Sequence, residues 1–544
     1  MFFPPAGSGA GKAFCRLRLF LADRPAVLVV AACMLWALAQ WLVSANLDSY
    51  FDMLESYAWG QTLPWGTYKH PPLFAWVAHA WFCVMPRGAL SFFVLSYLNV
   101  AVGLLGVMRL ARRLDLGAYA AAAAMLLLLA FPYTTLAAKF NANSQLLSLW
   151  PWVAVCLLES WRHGGWRGAW WSVALGLVAA AALLAKYYSG VFLLGLGLVA
   201  LLCAQGRRWL LTPRPWVALA VFALALLPHV AWMKQHDFVT LHYAQEQGGG
   251  ALQWRNLRNF ALAPLYYWLI GWVVCLFCTR KLSTEQGWRG WGRRALRSWM
   301  PQGWDDVLFW LAFMPWAITL LFGLSGKVDL STPWAIPIGY AFSLLWLRNL
   351  SGNDAAEQQA AASGAVARAW LVSLAVVAVL APVGATLAAL RGQQKYYRPD
   401  AEAGQAVVHW WRRHYPQVPL QWVGGNWAEN AVVAFYGDAS VRVLPGLPDA
   451  YPALFDPHPL WQAQGGVLLC PQGAADGDDG SAPKISLMAD GCDAQAQRWL
   501  QQHGQSAQGT SIVVQRSGWR FPKAVAYRYM VYPFVPANAA RVLN

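Results

Sequence analysis

The stretch AVLVVAACMLWALAQWLVSA, residues 26–45, is an apolar run without a single charged side chain. An α-helix rises about 1.5 Å per residue, so a run of about 20 residues is long enough to cross the hydrocarbon core of a bilayer. Four basic residues precede it, as in a secretory signal peptide: Lys12, Arg16, Arg18 and Arg24. No convincing small-residue cleavage site follows and more apolar runs come after it, so we interpret the run as the first membrane span.

The whole chain has the composition of a membrane protein. Of its 544 residues, 58% are hydrophobic and only 12% are charged, whereas soluble proteins average about 25% charged residues. The formal net charge of +16 would suit a nucleic-acid partner, but most Lys and Arg residues lie in short segments between apolar runs. Such segments are topology signals. We therefore reject nucleic-acid binding and predict a polytopic α-helical membrane protein surrounded by membrane lipids.

The apolar runs predict about 11 transmembrane helices, with room for up to about 13. They lie near residues 26–46, 90–110, 117–134, 145–161, 169–185, 188–204, 215–233, 261–279, 305–325, 333–347 and 370–390. Every second loop is basic: Arg109 to Arg113, Arg162 to Arg167, Arg207 to Arg214, Arg280 to Arg297 and Arg348 to Arg368. Because basic loops stay in the cytoplasm, we expect a cytoplasmic N-terminus and an outer location for everything after Leu390.

The composition changes after residue 390 to that of an ordinary soluble sequence. Five short β-like runs follow: LQWVGG, SVRVLP, GGVLLCP, SIVVQRS and YRYMVYPFV. They alternate with helical patterns at residues 401–414, 427–436 and 493–503. We therefore divide the chain into a transmembrane domain, residues 1–390, whose first outer loop is 47–89, and a soluble α/β domain, residues 391–544.

Seven of the nine cysteines lie in or beside the membrane region, where a small buried apolar residue is the ordinary interpretation. Cys275 and Cys278 form a CxxC pair, but no further ligand completes a metal set. Cys470 and Cys492 are the two cysteines of the soluble domain. In an oxidising compartment they could form a disulfide, although spacing alone does not decide it.

The first outer loop, DSYFDMLESYAWGQTLPWGTYKHPPLFAW at residues 48–76, concentrates ionisable groups. Asp52 and Glu55 are spaced i, i+3, so on a short helix their carboxylates point to one side, and Asp48 lies a turn earlier. Lys69 and His70 directly precede two prolines, which hold them in extended geometry. These groups could be solvated loop charges, but acids bracketed by tryptophans beside a membrane favour a functional site.

The segment KHPPLFAW resembles the signature of bacterial GT-C glycosyltransferases related to protein mannosyltransferase and to the lipid A aminoarabinose transferase. KFNANSQLLSLWPW, residues 139–152, and AKYYSG, residues 185–190, resemble later outer-face elements of this superfamily. Two positions depart from its pattern. Asn143 stands where many relatives have a second acid, which makes a metal between loop acids less secure. His70 stands where the aminoarabinose transferases carry Lys, and Lys69 comes one residue earlier.

The resemblance implies a glycosyltransferase in the bacterial inner membrane that moves a sugar from an undecaprenyl (polyprenyl) phosphate to an acceptor at the periplasmic face. Lipid A or lipopolysaccharide is the leading acceptor, and protein mannosylation is the alternative. A transporter or flippase would carry charges near the bilayer midplane in two related halves, which we do not find. A membrane-anchored assembly module led by the soluble domain would leave the 48–76 loop unexplained.

We assign candidate roles by chemistry. The leaving phosphate needs cations to neutralise it, and the candidates are Lys69, His70, Lys139 and Lys186. The alternative for Lys186 is that it extends to the lipid headgroups without a role in the site. The candidate catalytic acids are Asp48, Asp52 and Glu55. Asp52 would be a general base for a hydroxyl acceptor, whereas for an already ionised phosphate acceptor Asp52 and Glu55 would orient it or hold a divalent cation. The candidate substrate-binding residues are Tyr68, Asn141, Asn143, Tyr187, Tyr188 and His242.

A last polar segment lies beyond the seventh predicted span. We place His229 and the cluster His236, Asp237 and His242 in the outer loop there. Their spacing fits no standard zinc pattern, so we prefer a polar loop over the cavity that contacts the donor.

Overall fold

The computed structural model describes residues 24–246, 252–280, 287–326, 328–351, 356–425, 427–444, 464–474, 491–506 and 508–536. The α-helices of the membrane region are α1 (Pro25–Val43), α2 (Asp52–Gly60), α3 (Leu73–Val84), α4 (Ala89–Arg113), α5 (Ala120–Leu127), α6 (Ala142–Arg162), α7 (Gly165–Ala185), α8 (Ser189–Leu202), α9 (Ala204–Leu210), α10 (Arg214–Gln235), α11 (Val239–Glu246), α12 (Trp254–Cys278), α13 (Gly287–Arg297), α14 (Val307–Leu324), α15 (Phe342–Ser351) and α16 (Ala356–Arg391).

Within the described residues, seven helices are long and apolar enough to cross a membrane: α1, α4, α7, α10, α12, α14 and residues 361–391 of α16. An eighth span results if α8 and α9, which meet at a bend of 102°, are counted together. These eight coincide with eight of the eleven predicted spans. The chain is therefore a multi-pass membrane protein.

The other three predicted spans take different forms. Residues 117–134 contain the eight-residue α5 between short 3-10 turns, Gly117–Tyr119 and Phe131–Tyr133. Residues 333–347 are divided among the 3-10 turns Thr332–Ala335 and Ile338–Ala341 and the start of α15. Pro333 and Pro337 interrupt a continuous helix here, because proline lacks the N–H that a helix interior needs. The segment near 145–161 is the continuous helix α6, but it carries polar residues and is mostly covered by protein.

Helix α6 is buried between α4 and α7, and a glycine lets it approach α4 closely. A Cβ atom at Gly103 would lie 2.1 Å from the backbone oxygen of Leu147, so a larger residue would push the two helices apart. The C-terminal end of α6 is held by the fully buried Glu159, which accepts from Arg109 at 2.8 Å and also pairs with Arg113. Both arginines lie in the last turns of α4 and not in a loop, in the basic segment that the sequence assigns to the cytoplasmic side.

The C-terminal region contains α17 (Gln394–Tyr397), α18 (Asp400–His414), β1 (Leu420–Gly425), α19 (Trp427–Val432), a π-helical turn (Val433–Gly437), β2 (Arg442–Val443), β3 (Gly465–Ala474), α20 (Cys492–Gln502), β4 (Thr510–Gln515) and β5 (Ala526–Phe534). The strand order is β2-β1-β3-β5-β4. The pairs β1–β2 and β1–β3 are parallel, and β5 pairs antiparallel with β3 and β4. Each strand lies within or overlaps one of the five predicted β-like runs, so the α/β prediction is confirmed.

The two faces of this sheet pack against different partners. Helix α20 covers one face, where Trp499 packs in a separate cluster with Leu468 and Phe534. The other face joins the main hydrophobic core through α18. A disulfide between Cys470 of β3 and Cys492 of α20 attaches the outer helix to the sheet, as the sequence allowed.

Candidate active site

The helix α2 begins at Asp52 because Asp48 caps it. The carboxylate of Asp48 accepts the backbone N–H groups of Tyr50 at 2.8 Å, Asp52 at 3.2 Å and Met53 at 3.0 Å. Such a cap satisfies donors that the first turn of a helix leaves unpaired. Both oxygens of Asp48 therefore face the backbone of α2, and this residue orients the helix that carries Asp52 and Glu55.

Asp52 connects α2 to the segment that precedes α6. Its Oδ2 lies 2.6 Å from the ammonium of Lys139 and accepts from the amide of Asn141 at 2.9 Å. Burial raises the pKa of Asp52, but the ammonium groups of Lys139 and Lys69 and the two hydrogen bonds outweigh it, so the pKa lies below its ordinary value. Asp52 is consequently ionised near neutral pH.

Glu55 and Lys69 form a second ion pair one turn further along α2. The ammonium of Lys69 donates to both carboxylate oxygens of Glu55 at 3.2 Å. Burial raises the pKa of Glu55 to about 7, although Lys69 opposes the shift. Burial lowers the pKa of Lys69, but Glu55 and Asp52 more than reverse this effect, so Lys69 remains charged.

Lys186 supplies a third ammonium from the end of α7. It donates to the Oδ1 atom of Asn143, in the first turn of α6. Burial lowers the pKa of Lys186 to about 7, and the ammonium groups of Lys69 and Lys139 contribute. Three lysines thus lie within electrostatic reach of one another beside the Asp52 carboxylate, which makes the site suitable for an anion.

The amide side chains at the start of α6 have structural partners as well. The Oδ1 atom of Asn141 accepts from the backbone N–H groups of Asn143 and Ser144, which forms the capping box of α6. Asn141 therefore orients Asp52 from a fixed helix end. Asn143 holds Lys186 from the same turn.

His70 and Tyr68 lie in the loop beside these pairs. Burial, together with Lys186 and Lys69, holds the pKa of His70 well below its usual range, so its imidazole is neutral near neutral pH and cannot balance charge as the lysines do. The ring of Tyr68 is buried and makes edge contacts with Trp59 and Tyr243, each at 5.7 Å between ring centroids. Tyr68 therefore packs the inner side of the loop.

His229 holds the first loop against the bundle from a position that the sequence did not predict. It lies inside α10, 3% exposed, and not in the loop that follows. Its Nδ1 is 2.6 Å from the backbone oxygen of Trp65, and its Nε2 is 2.7 Å from the hydroxyl of Tyr187. A carbonyl only accepts, so Nδ1 carries the proton and, in neutral His229, the Tyr187 hydroxyl donates to Nε2.

Three other candidates lie apart from the lysine cluster. Tyr188 is buried in the core, where its hydroxyl bonds Thr319 at 2.8 Å and its ring stacks on Trp150. His236 caps the end of α10 with a bond to the backbone of Trp232. His242 lies exposed on α11. The structure thus brings the acids, lysines and asparagines together but places Tyr188 in the packing around them.

Residues of the C-terminal region also hold the first loop, and sequence reasoning missed them. Arg398 donates to the backbone oxygen of Asp48 at 3.0 Å, and its guanidinium lies 4.0 Å from the ring centroid of Phe51. Phe51 has a φ of 61°, a strained conformation directly before α2. Asp400 orients Arg398 through two bonds of 2.6 and 2.8 Å. No local sequence pattern predicts a contact between Asp48 and Arg398, which lie 350 positions apart.

Further contacts continue this interface along α2. The ring of Phe435 packs edge-on against Tyr57 at 5.1 Å. At the end of the helix, the side-chain amide of Gln61 donates to the backbone oxygen of Val441 at 2.9 Å and accepts from the N–H of Val443 at 3.1 Å. The C-terminal region therefore contacts α2 at both of its ends.

The donor set does not fit a divalent cation between the loop acids. Glu55 and Asp52 each hold a lysine ammonium in the place where a cation would bind, and the Oδ1 atom of Asn143 accepts from Lys186. In the part of the chain that the structure describes, no three His, Cys, Asp or Glu side chains are grouped for metal binding.

The geometry can be set beside known proteins. The fold is similar to that of ArnT from Cupriavidus metallidurans bound to undecaprenyl phosphate, with a TM-score of 0.54, 16% identity, and coverage of 92% of this chain and 97% of that one. Lipid A galacturonosyltransferase RgtD of Rhizobium johnstonii is 25% identical over 268 residues, 47% of this chain. Residues 69–232 match the family dolichyl-phosphate-mannose-protein mannosyltransferase. Part of the chain is thus similar in sequence to a mannosyltransferase family and to a galacturonosyltransferase, and its fold is similar to that of ArnT.

The family match includes the lysines of the site but not its acids, because Asp52 and Glu55 precede residue 69. The family match begins at Lys69 and extends past Lys139 and Lys186 to Trp232, so it contains all three lysines of the cluster. The alignment with the galacturonosyltransferase covers 54% of that protein, so this chain spans about half of its length. The likeness to ArnT, at 16% identity, concerns the fold.

Proposed function

We propose that this protein is an integral membrane glycosyltransferase of the GT-C type, which moves a sugar from a polyprenyl phosphate to an acceptor at the outer face of the bacterial inner membrane. The observation that carries the proposal is the convergence of Lys69, Lys139 and Lys186 beside the ionised Asp52. A transferase of this type must neutralise a leaving phosphate next to a group that orients the acceptor. One cluster here supplies both.

The position of the cluster agrees with a periplasmic active site. Asn143 and Glu159 lie 16 positions apart on α6, which separates them by about 24 Å along the helix. Glu159 pairs with Arg109 and Arg113, in a segment whose charge indicates the cytoplasmic side. This separation supports a periplasmic location for the lysine cluster, and we propose the same side for the C-terminal domain and a cytoplasmic N-terminus.

The reaction follows from the contacts. As the bond between the anomeric carbon and the phosphate oxygen breaks, the lysine ammonium groups balance the charge of the leaving phosphate. Both described contacts of the Asp52 carboxylate go to Oδ2, so we assign Oδ1 to the acceptor. For a hydroxyl acceptor, Asp52 takes its proton during attack. For a phosphate acceptor, already ionised, Asp52 orients the attacking group. A direct displacement inverts the anomeric carbon.

The remaining candidates take supporting roles in this proposal. Asp48 positions α2 and Glu55 keeps Lys69 in place, whereas Asn141 and Asn143 orient Asp52 and Lys186. Neutral His70 can donate a hydrogen bond to the donor phosphate. We keep Tyr68 and Tyr187 as candidates for contact with the sugar, whereas Tyr188 packs in the core and His242 lies exposed on α11, apart from the lysine cluster.

Lipid A or lipopolysaccharide is the acceptor that we favour. The similar RgtD is named a lipid A galacturonosyltransferase, and the similar ArnT structure contains undecaprenyl phosphate. A protein acceptor is the alternative, because the matched family is named for protein mannosylation. A carrier function without transfer would not require an ionised carboxylate oriented by Asn141 and Lys139.

The test compares lipid A from cells that lack the protein with cells that express wild type or Asp52→Asn. We expect a sugar-sized mass in the wild type that is lost in the deletion and the variant. Asp115→Asn is the matched control, because Asp115 is exposed and pairs with Arg162 on the cytoplasmic side. Wild-type glycolipid from Asp52→Asn would overturn the site assignment. Unchanged lipid A in all strains would favour a protein acceptor, which glycoproteomics of the same strains would reveal.

A further inference from the structure

The loop between β4 and β5, residues 516–525, lies beside the end of the first membrane span. The guanidinium of Arg516 donates to the backbone oxygen of Ala45 at 3.0 Å, and that of Arg520 donates to the backbone oxygen of Ser44 at 3.3 Å. Helix α1 ends at Val43. The β4–β5 loop is therefore fixed within a few ångströms of the point where α1 leaves the membrane.

The same loop also contacts the end of the last span. Helix α16 ends at Arg391, and the backbone N–H of Lys523 donates to the hydroxyl of Tyr397 at 3.0 Å. The stem of Lys523 lies against Gly392, where an added Cβ would be 2.9 Å from it. The ring of Phe521 packs on Tyr397 at 5.7 Å. Two spans thus set the depth of the β4–β5 loop.

The tip of this loop presents an aromatic ring without cover from the described protein. Trp519 is 93% exposed, next to Gly518, whose φ of 132° turns the chain. The lipid-facing surface of the neighbouring spans is apolar up to their ends, because Leu42 of α1 and Leu390 of α16 are both 56% exposed. Trp519 lies near the ends of these two spans, at the border of this apolar surface, together with the basic side chains Arg520 and Lys523.

We propose that the β4–β5 loop is a membrane-interface anchor of the C-terminal domain, with Trp519 in the headgroup layer and Arg520 and Lys523 facing anionic lipid phosphates. Tryptophan favours this layer because its ring is apolar and its N–H is polar. Each basic side chain near an anionic surface favours binding about fivefold, from about 1 kcal/mol per charge. The inference does not depend on the transferase function.

The anchor connects the bilayer to the site through a short path. Arg516, which begins the β4–β5 loop, is buried and pairs with Glu402 of α18 at 3.0 Å. The residue that opens the same helix, Asp400, orients Arg398 on the loop before α2. An anchored loop therefore restrains the domain that holds the catalytic helix.

The test measures the depth of position 519 in the full-length protein. Because the chain has 34 tryptophans, intrinsic fluorescence would not report on one of them. A spin label is attached to the cysteine of Trp519→Cys or, as the control, of Gln501→Cys on α20. Cys15, Cys83 and Cys278 are replaced by serine so that they do not take up the label. The other free cysteines among the described residues are buried. Each protein is reconstituted in nanodiscs of phosphatidylcholine, with or without phosphatidylglycerol.

We expect the label at position 519 to relax more with oxygen than with an aqueous nickel chelate, and the label at position 501 to show the reverse. Phosphatidylglycerol should deepen the first label and leave the second unchanged. Lys523→Glu should cancel the lipid effect, whereas the matched Arg498→Glu, on the outer helix, should not. Equal nickel accessibility at both positions would overturn the anchor, and so would shielding of position 519 from both reagents, which indicates a protein partner. An identical depth in both lipid compositions would overturn the role of anionic headgroups.

Discussion

We expect the ionisation of Lys186 to make the binding of the proposed phosphodiester donor sensitive to pH. Burial lowers the pKa of Lys186 to about 7, and a bound phosphate would raise it again, since an opposite charge favours the charged form. Binding therefore takes up a proton. The protonated fraction falls about tenfold between about pH 6 and about pH 8, which corresponds to ~1.4 kcal/mol of binding free energy. Donor affinity should fall as the pH rises.

Glu55 adds to the same trend and has to be separated from it. Its pKa is also about 7, so it gains a negative charge over the same range and weakens the binding of an anion. In Glu55→Gln this contribution disappears and the Lys186 contribution stays. In Glu55→Gln with Lys186→Arg the pH dependence should disappear, because arginine remains protonated throughout. Asp52 stays ionised in this range, and neutral His70 does not titrate there.

The assay is isothermal titration calorimetry with the methyl phosphodiester of a polyprenol, whose single charge is constant over this range. Purified wild type, Glu55→Gln and the double variant are compared in the same detergent. A dissociation constant for wild type that does not change between about pH 6 and about pH 8 would refute the reasoning. The same slope in the double variant would assign the proton to a group other than Lys186.

Three further outcomes follow from single contacts. Asp52→Asn should lower the rate of transfer by about a hundredfold or more without loss of folded yield, as measured by lipid A mass spectrometry; normal transfer would contradict it. Arg398→Ala leaves Asp400 buried and unpaired, so it should lower the free energy of unfolding by ~3–5 kcal/mol and lower the Tm. The double variant Arg398→Ala with Asp400→Ala should regain part of that Tm. A Tm of Arg398→Ala equal to that of the wild type would argue against a stabilising role for this pair. Replacing Cys470 and Cys492 by serine opens a loop of 22 residues and should destabilise the C-terminal domain by about 3 kcal/mol. The measurement is denaturant unfolding followed through hydrogen exchange. An unchanged unfolding midpoint would contradict this prediction.

Much of the fold could be predicted because it is written in local patterns. A membrane span is an apolar run of fixed length, so α1, α4 and α7 could be located from the sequence. Alternating residues between turns likewise located β3 and β5. The resemblance to the GT-C glycosyltransferases was recognisable because the segments that carry it, such as KHPPLFAW, are short and continuous.

The three predicted spans that take a different form show the limit of locating transmembrane helices by apolar composition. Apolar composition does not distinguish a lipid-facing helix from a segment that other helices cover. Residues 333–347 are as apolar as a span, yet Tyr340 and Trp346 are fully buried by protein, so this segment can break at Pro337 without exposing its backbone to lipid.

The sequence by itself determined which residues could form a site: Asp52, Glu55 and the lysines, in loops on one predicted side of the membrane. Only the tertiary structure decided the pairing, in which Lys139 meets Asp52 and Lys69 meets Glu55. It also brought Arg398 to the start of α2. The physical reason is that ion pairs and caps depend on distance in space, and long-range packing sets that distance, whereas spans and strands depend on the periodicity of neighbouring residues.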